Sequence, residues 1–240
     1  MSNPIYALLS KQAGLRQQVD LIANNVANLS TTGFKREGLS FDSVVRKLDL
    51  PGRTLALAQA GTTYTDLSPG PLQRTGSALD LAIEGDALFA VETPGGVRYT
   101  RDGRFSTNDV GELVSVAGHR VLDDGGGPIL IPVEVASISV SADGTLSADD
   151  NRPLAVVGLH RFEAGAVRRE ADGLFAPEAA PAPAEGARVL QGFIEGSNVN
   201  PIREITDLIE AHRAYEQGRA MLDAEDERLR RTIERVGQNA

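Results

Sequence analysis

A strict seven-residue repeat near the N-terminus constrains this chain more than any other feature. In the stretch Ile5 to Lys35, IYALLSKQAGLRQQVDLIANNVANLSTTGFK, the residues Ile5, Val19 and Val26 keep a seven-residue spacing, with Gln12 in the one gap. Leu8, Leu15, Ile22 and Leu29 form a second, unbroken series three places on. These are the a and d positions of a heptad, and a helix built this way presents one narrow apolar seam that needs a partner helix. Amphipathic helices of ordinary globular domains rarely hold so strict a 3.5 period. At 1.5 Å per residue the heptad span from Ile5 to Leu29 measures ~38 Å. Asn24, Asn25 and Asn28 weaken its last turns and Thr31, Thr32 and Gly33 end it, Gly33 being suited to the left-handed conformation that follows a helix. Phe34 is expected to pack beside that end.

The far end of the chain carries a second helix. Ser197-Asn198-Val199-Asn200-Pro201 reads as its start, with Asn200 as N-cap and Pro201 at the first helical position. The helix is expected to run to about Val236. Ile202, Ile205, Leu208 and Ile209 make a strong first stripe, and Leu208, Tyr215, Leu222, Leu229 and Val236 recur every seven residues. The seam is thinner than the first. Its second half, DAEDERLRR, is highly charged, with Asp226-Arg230 and Glu227-Arg231 spaced to support the helix surface by a few tenths of a kcal/mol each. Tyr215 reads as a seam residue and Arg213 as a solvated or ion-paired one. Gly218 costs about 1 kcal/mol relative to Ala in a helix, so it either admits a close helix approach or is merely tolerated.

Between the helices the pattern changes. Residues 34–78 have poor periodicity apart from a possible helical turn or two around Leu39 to Leu48. With Pro51 and the Ser68–Pro71 interruption they read as an extended connector, a length of loop that is more often a functional surface than part of a compact domain. From Leu79 the period becomes two: Leu79, Leu81 and Ile83 alternate with Asp80, Ala82 and Glu84. Thr93-Pro94-Gly95-Gly96 then joins Leu88–Val91 to Val97–Thr100 as a hairpin. Further strands are expected at Arg104–Thr107, Glu112–Val116, His119–Leu122, Ile129–Pro132, Ser137–Ser141, Thr145–Ser147, Leu154–Phe162 and Val167–Arg169, with a tight turn at Asp143-Gly144. Residues 176–187, APEAAPAPAEGA, are expected to be an extended exit segment outside the core, followed by a strand at Val189–Ile194.

The expected architecture is α+β. An N-terminal helix (1–33), a connector (34–78), an antiparallel β domain that is a sandwich or partly open barrel (79–187) and a C-terminal strand and long helix (188–240) follow in order. The two terminal helices pair as a coiled-coil-like stalk with the β domain inserted between them. Apolar surface left over on such a stalk has to be covered by other copies or other chains. The residues alone therefore point to a self-associating or partner-binding subunit.

Composition narrows the function classes. A net charge of -9 without a dense Lys/Arg cluster argues against nucleic-acid binding. Aromatic content of 5% without Trp argues against a sugar-stacking platform or a large enclosed ligand pocket. Cysteine is absent, which excludes disulfides and thiolate metal sites. No segment approaches 18 consecutive apolar residues, and the N-terminus lacks the pattern of a cleaved secretory signal. His119, His160 and His212 are isolated, with no metal-ligand spacing, so no metal or cofactor is expected. Asp123, Asp124 and the following glycines read as a turn. Asp143 and Asp149-Asp150 read as hairpin and loop residues, although paired carboxylates could in principle hydrolyse a glycan.

Three separated motifs carry a resemblance. ANNVANLSTTGFKRE at Ala23 to Glu37, LDLAIEGDALFAV with YTRDGRF and LVSVAGHRVLDDGGGPILIP in the middle, and EGSNVNPIREITDLIEAHRAYEQ at Glu195 to Gln217 stand in the same order as the signatures of the flagellar rod and hook family. The chain resembles that family of axial proteins from end to end. Ala87-Leu88, where relatives carry a bulkier aromatic pair, His212, where a glutamine is common, and the charged tail depart from the pattern. The lack of a hook-type outer domain favours a rod subunit. The short 34–78 region, without a glutamine- and glycine-rich segment, favours the proximal rod, with the distal rod as the alternative.

The resemblance implies a drive-shaft subunit at the flagellar basal body, spanning the periplasm in a helical assembly of its own copies and related rod proteins. It further implies export as an unfolded chain through the flagellar type III apparatus, with no nucleic acid, membrane insertion or small-molecule substrate. The assembly residues it marks are Leu8, Leu15, Ile22, Asn24, Asn25, Asn28, Leu29, Thr32, Gly33 and Phe34 at one end. At the other they are Asn198, Asn200, Ile205, Leu208, Ile209, Arg213, Tyr215 and Leu222. The terminal helices are expected to be largely disordered in the free monomer, where their seams lack a partner. Two rivals of other classes are a cell-wall glycan hydrolase and a soluble coiled-coil adaptor.

Overall fold

The two heptad-bearing segments fold as helices, α1 at Asn3–Ala27 and α2 at Pro201–Gln238. The computed structural model describes residues 3–40, 62–135, 137–149, 151–163 and 165–238. Its residues group into two units, one drawn from Met1–Ala27, Glu37–Thr63 and Asn200–Ala240 and the other from Asn28–Arg36 and Tyr64–Val199. The fold is α+β.

In the helical unit α1 and α2 pack along one another in opposite directions. Gln12 and Asn25 of α1 reach Tyr215 and Glu204 of α2, so the chain advances along one helix as it recedes along the other. Asn200 starts α2 by accepting hydrogen bonds at its Oδ1 from the backbone N–H groups of Ile202 and Arg203, both at 3.1 Å, and Pro201 follows as the first helical residue. On the charged second half Arg230 pairs with Asp226 at 2.9 Å and Arg231 pairs with Glu227. The side chains of Ile5, Leu229 and Val236 lie outside the described residues, as does most of the helical turn expected around Leu39 to Leu48. The described start of that turn is a strand, Glu37–Ser40.

α1 ends earlier than the Thr31–Gly33 stop expected from sequence. Beyond Ala27 the chain enters successive turns: the Thr31 hydroxyl donates to Asn28 Oδ1 at 3.0 Å, Thr31 N to Asn28 O at 3.2 Å and Phe34 N to Thr31 O at 3.3 Å. The short side chain of Asn28 competes for local partners and favours the turn over the helix.

The β unit is antiparallel. Its central strand, Leu88–Thr93, pairs with Gly96–Thr100 across the two-residue turn Pro94-Gly95, and on its other edge with Arg120–Val121 and Leu159–Arg161. Alternation along this strand serves two cores. Phe89 and Val91 join Leu81, Ile83, Phe105, Leu113, Val121, Ile129, Leu146 and Val189 on one face, whereas Leu88 and Ala90 join Tyr99, Leu122, Phe162, Val167 and Phe175 on the other. The sheet is therefore covered on both sides. A three-stranded sheet, Ile138–Val140, Thr145–Ala148 and Pro153–Val156, carries the expected Asp143-Gly144 hairpin.

Several local expectations differ. The expected Leu154–Phe162 strand is two strands, Pro153–Val156 and Leu159–Arg161, and Ile129–Pro132 contributes only an isolated bridge. Residues 176–187 are not a bare exit segment. Leu174–Pro177 pairs with both Val167–Arg169 and Gly96–Thr100, burying Phe175 and Ala176, and Ala182–Pro183 pairs with His160 and Arg161. Proline is accommodated there because that short strand lies at a sheet edge. Residues 188–195 form two strands that pair with Leu81–Glu84 and Leu72–Arg74, so part of the expected connector and the C-terminal strand are integral to the β unit.

Candidate assembly interface

The β unit holds a buried ionic cluster that sequence reasoning did not single out. Lys35, Arg101 and Glu195 are each about 1% exposed. Lys35 Nζ lies 2.7 Å from Glu195 Oε1 and donates to the carbonyls of Ser68 at 2.6 Å and Leu67 at 3.2 Å. Arg101 donates through Nε to Glu195 Oε2, and its terminal nitrogens bind the carbonyls of Ala87, Ile83 and Gly85. Gly70 N is a third donor to the Glu195 carboxylate, reaching Oε1 at 2.7 Å. Each charged nitrogen and oxygen of the three side chains thus has a hydrogen-bond partner, which is what a buried ion pair requires. Burial pushes the Lys35 ammonium below its ordinary value of 10.5, against the opposing pull of the Glu195 carboxylate.

The predicted site residues of the β unit gather near this cluster. Gly33 N donates to Glu195 O at 2.7 Å. Its φ is +68°, and a Cβ there would meet Asp102 N at 2.4 Å, so a glycine is required by close backbone approach and not as the cap of α1. Phe34 is buried with the Arg169 guanidinium 3.8 Å above its ring. Asn198 accepts from Arg36 N at 2.7 Å and donates to the carbonyls of Asp66 and Ser68, at 2.9 and 3.0 Å. It ties three chain segments together. Asn28, Thr32 and Phe34 line an open cavity of about 460 Å³ with Arg104 and Arg169. Leu29 is half-buried.

In the helical unit Ile22 and Asn25 are buried, Leu8 and Leu15 are half-buried, and Asn24 is on the exposed side. Asn25 donates to Glu37 O at 2.9 Å and to the buried Glu204 carboxylate at 3.2 Å, and accepts from Glu37 N at 3.0 Å. Gln12 fills the gap in the apolar series because its Nε2 reaches Tyr215 O at 2.9 Å. On α2 the least exposed line is Glu204, Leu208, Ala211, Tyr215, Gly218 and Leu222, in alternating steps of four and three. Gly218 sits on it beside the end of the Gln12 side chain: a Cβ there would come within 2.8 Å of Gln12 Nε2.

The first stripe read from the sequence therefore divides. Leu208 lies on the line toward α1, whereas Ile202, Ile205 and Ile209 do not, being 79%, 48% and 48% exposed, and Arg213 is exposed beside them. Half of the packed positions on α2 are Glu, Ala and Gly, which carry little apolar signal, while Leu208, Tyr215 and Leu222 of the seven-residue series lie on the packed line as expected.

Comparison with known proteins divides the chain along the same motifs. The model described as flagella basal body rod protein matches residues 5–35, that of the flagellar hook protein FlgE/F/G D1 domain matches 82–148, and that of the flagellar basal body rod FlgEFG protein C-terminal matches 190–235. The flagellar basal-body rod protein FlgF of Caulobacter vibrioides is 41% identical over 99% of both chains. The chain belongs to the flagellar basal-body rod protein family. FlgF of Mesorhizobium japonicum is 40% identical over 92% of each chain, and the rod protein FlgG of Bacillus subtilis is 30% identical over 97% of this chain and 98% of its own. As a member of this family the chain is a structural subunit of the flagellar basal body, most like FlgF.

Each of the three matched rod-family segments supplies one charge of the buried cluster: Lys35 ends the first, Arg101 lies in the second and Glu195 in the third. The motifs that carry the family likeness meet in space. The carboxylate of Asp143, which the hydrolase rival needs as an acid, is occupied by its own hairpin. It accepts from the Ser141 hydroxyl at 2.6 Å and from Thr145 N and Oγ1 at 3.1 and 3.0 Å, and these bonds, that of Ser141 first, hold it below the usual carboxylate value.

Proposed function

We propose that this chain is a subunit of the proximal rod, the part of the flagellar shaft nearest its base, and that it enters the rod through its paired terminal helices. Copies polymerise helically with related axial proteins and transmit torque across the periplasm. The full-length likeness to FlgF rod proteins supports this reading. The observation that carries the assembly mode is the packing of α1 on α2 with the Ile202, Ile205 and Ile209 side chains left uncovered. A coiled-coil-like stalk of this kind keeps its outer face for neighbours.

The site residues sort into two roles under this reading. Gly33, Phe34, Asn198 and the ionic cluster fix the β unit, and the helix residues, from Leu8, Leu15, Ile22 and Asn25 to Leu208, Tyr215 and Leu222, form the shaft core. Asn24, Ile205, Ile209 and Arg213 face neighbouring subunits. The chain leaves the cytoplasm unfolded through the flagellar export apparatus, and its terminal helices order on assembly. Swimming and basal-body morphology in a strain lacking the chain test the proposal. Loss of the rod beyond its base, restored by the full chain, is expected; intact rods and normal swimming without the protein would overturn it.

A further inference from the structure

We propose that two polar contacts, Gln12 against Gly218 and Asn25 with Glu204, fix the register of α1 on α2 and make α1 select a helix of this sequence over the corresponding helices of related rod proteins. This rests on the rod-subunit reading, in which the terminal helices order on assembly and α1 therefore meets the helices of other chains beside its own α2.

Both contacts put polar atoms where apolar side chains would pack. Gln12 interrupts the Ile5–Val19–Val26 series and is nonetheless buried. Its Nε2 reaches Tyr215 O, but its Oε1, also buried, has no hydrogen-bond partner among the described residues. A buried acceptor without a partner is destabilising, and a lone polar residue in an apolar seam is the known means of setting register at a cost in stability. Asn25 and Glu204 are both 0% exposed, with the amide 3.2 Å from the carboxylate. About 20 Å of helix separates Gln12 from Asn25, so the seam is held at two distant points.

Neither contact survives a slide of the helices. Moving α1 by one heptad brings Asn25 to Ala211 in one direction and past Pro201, where α2 begins, in the other, so its bond to Glu204 is lost both ways. Gln12 moves at the same time to a place between Leu222 and Glu225, or between Leu208 and Ala211, where every residue carries a Cβ. Gly218 is the only glycine of α2 before Gly237, and a Cβ in its place comes within 2.8 Å of the Gln12 amide. A foreign helix meets the same two conditions. It has to offer no side chain opposite Gln12 and a carboxylate two heptads earlier, and one that fails them is rejected by a clash and by unpaired buried groups.

Disulfide cross-linking in isolated basal bodies reads the register, because the chain has no cysteine of its own. Ile22 stands one turn before Asn25 and Leu208 one turn after Glu204. Ile22→Cys with Leu208→Cys therefore reports the native register, and Ile22→Cys with Tyr215→Cys reports the register one heptad away. With both contacts intact only the first pair is expected to link. Gln12→Leu, and separately Asn25→Leu made together with Glu204→Leu, are each expected to raise the shifted link about fivefold or more, the factor that one unpaired buried amide is worth. Each is also expected to let Ile22→Cys alone link to a second rod-family protein of the same strain that carries a cysteine at the position aligned with Leu208. Gln12→Leu fills a gap in an apolar series, so it folds whether or not the paired change does, and its result alone decides. Gln12→Leu chains that link only at Leu208, intact contacts that link equally at Leu208 and Tyr215, or a foreign link as strong with the contacts intact would each overturn the proposal. Absence of the full chain from basal bodies would instead remove the rod-subunit reading itself.

Discussion

Lys35 and Glu195 stand 160 residues apart in the chain, and their charged atoms meet 2.7 Å from one another in the interior of the β unit. Arg101 approaches the same carboxylate from its other oxygen. One anion therefore balances two cations away from water, and the three charges do not contribute equally to stability.

Glu195→Gln leaves two buried cations without their counter-ion and is expected to destabilise the β unit by about 3–5 kcal/mol, the range for removing one partner of a buried ion pair. Lys35→Met leaves Glu195 still paired with Arg101, so the loss is smaller. Urea unfolding followed by circular dichroism on the full chain compares them. Equal losses, or a Glu195→Gln loss below about 1 kcal/mol, would contradict the arrangement.

Gly33 and Gly76 both have positive φ, at +68° and +79°, but only Gly33 has backbone against the position of a Cβ. Gly76→Ala is expected to cost about 1 kcal/mol from conformation alone. Gly33→Ala adds a collision with the Asp102 amide and must move the chain, so its cost is expected to be clearly greater. Thermal unfolding of the two variants side by side measures the difference; a Gly33→Ala protein as stable as Gly76→Ala contradicts it.

His160 gives the fold a pH dependence. Burial, only partly offset by Asp124, lowers its value from 6.5, and its ring meets the edge of Tyr99 at 5.3 Å between centroids. Between the lowered value and 6.5 the unfolded chain binds more protons, so stability rises with pH there. The penalty is absent well above 6.5, accumulates as pH falls through it, and levels off below the folded-state value. Unfolding free energies of the wild type minus those of His160→Gln, taken from about pH 5 to pH 8, are expected to show this slope; a difference flat in pH would contradict it.

Gly218 and Gln12 are coupled. Ala is the better helix former by about 1 kcal/mol, yet a Cβ at Gly218 crowds the Gln12 amide that binds Tyr215 O. Gly218→Ala is therefore expected to impair swimming in the wild-type background and to be tolerated when combined with Gln12→Ala. Equal impairment in both backgrounds would show that the two residues do not meet.

What could be read from the sequence was local. The seven-residue repeats, the Asn200 cap and the Thr93–Gly96 and Asp143–Gly144 turns depend on neighbours within a few positions, and each stands as a helix, cap or hairpin in the fold. The ionic cluster was not legible, because Lys35, Arg101 and Glu195 find one another only through the closed β unit. Each lies inside a motif of the family likeness, but a charge in a motif reads first as a surface residue. The facing side of α2 was legible in part: Leu208, Tyr215 and Leu222 of its seven-residue series lie on it, whereas the positions between them are Glu, Ala and Gly. Glu204 is buried by a bond to Asn25 that lies 179 residues away, and no periodicity of apolar residues records it.

The most direct measurement is the protein content of basal bodies isolated from a deletion strain supplied with either the full chain or a chain lacking residues 201–240, combined with electron microscopy of the rods. The full chain is expected in the rod fraction with complete shafts, and the truncated chain is expected to be absent from it with shafts ending at the base. Truncated chain incorporated at normal levels into complete rods would contradict the claim that the paired terminal helices build this protein into the shaft.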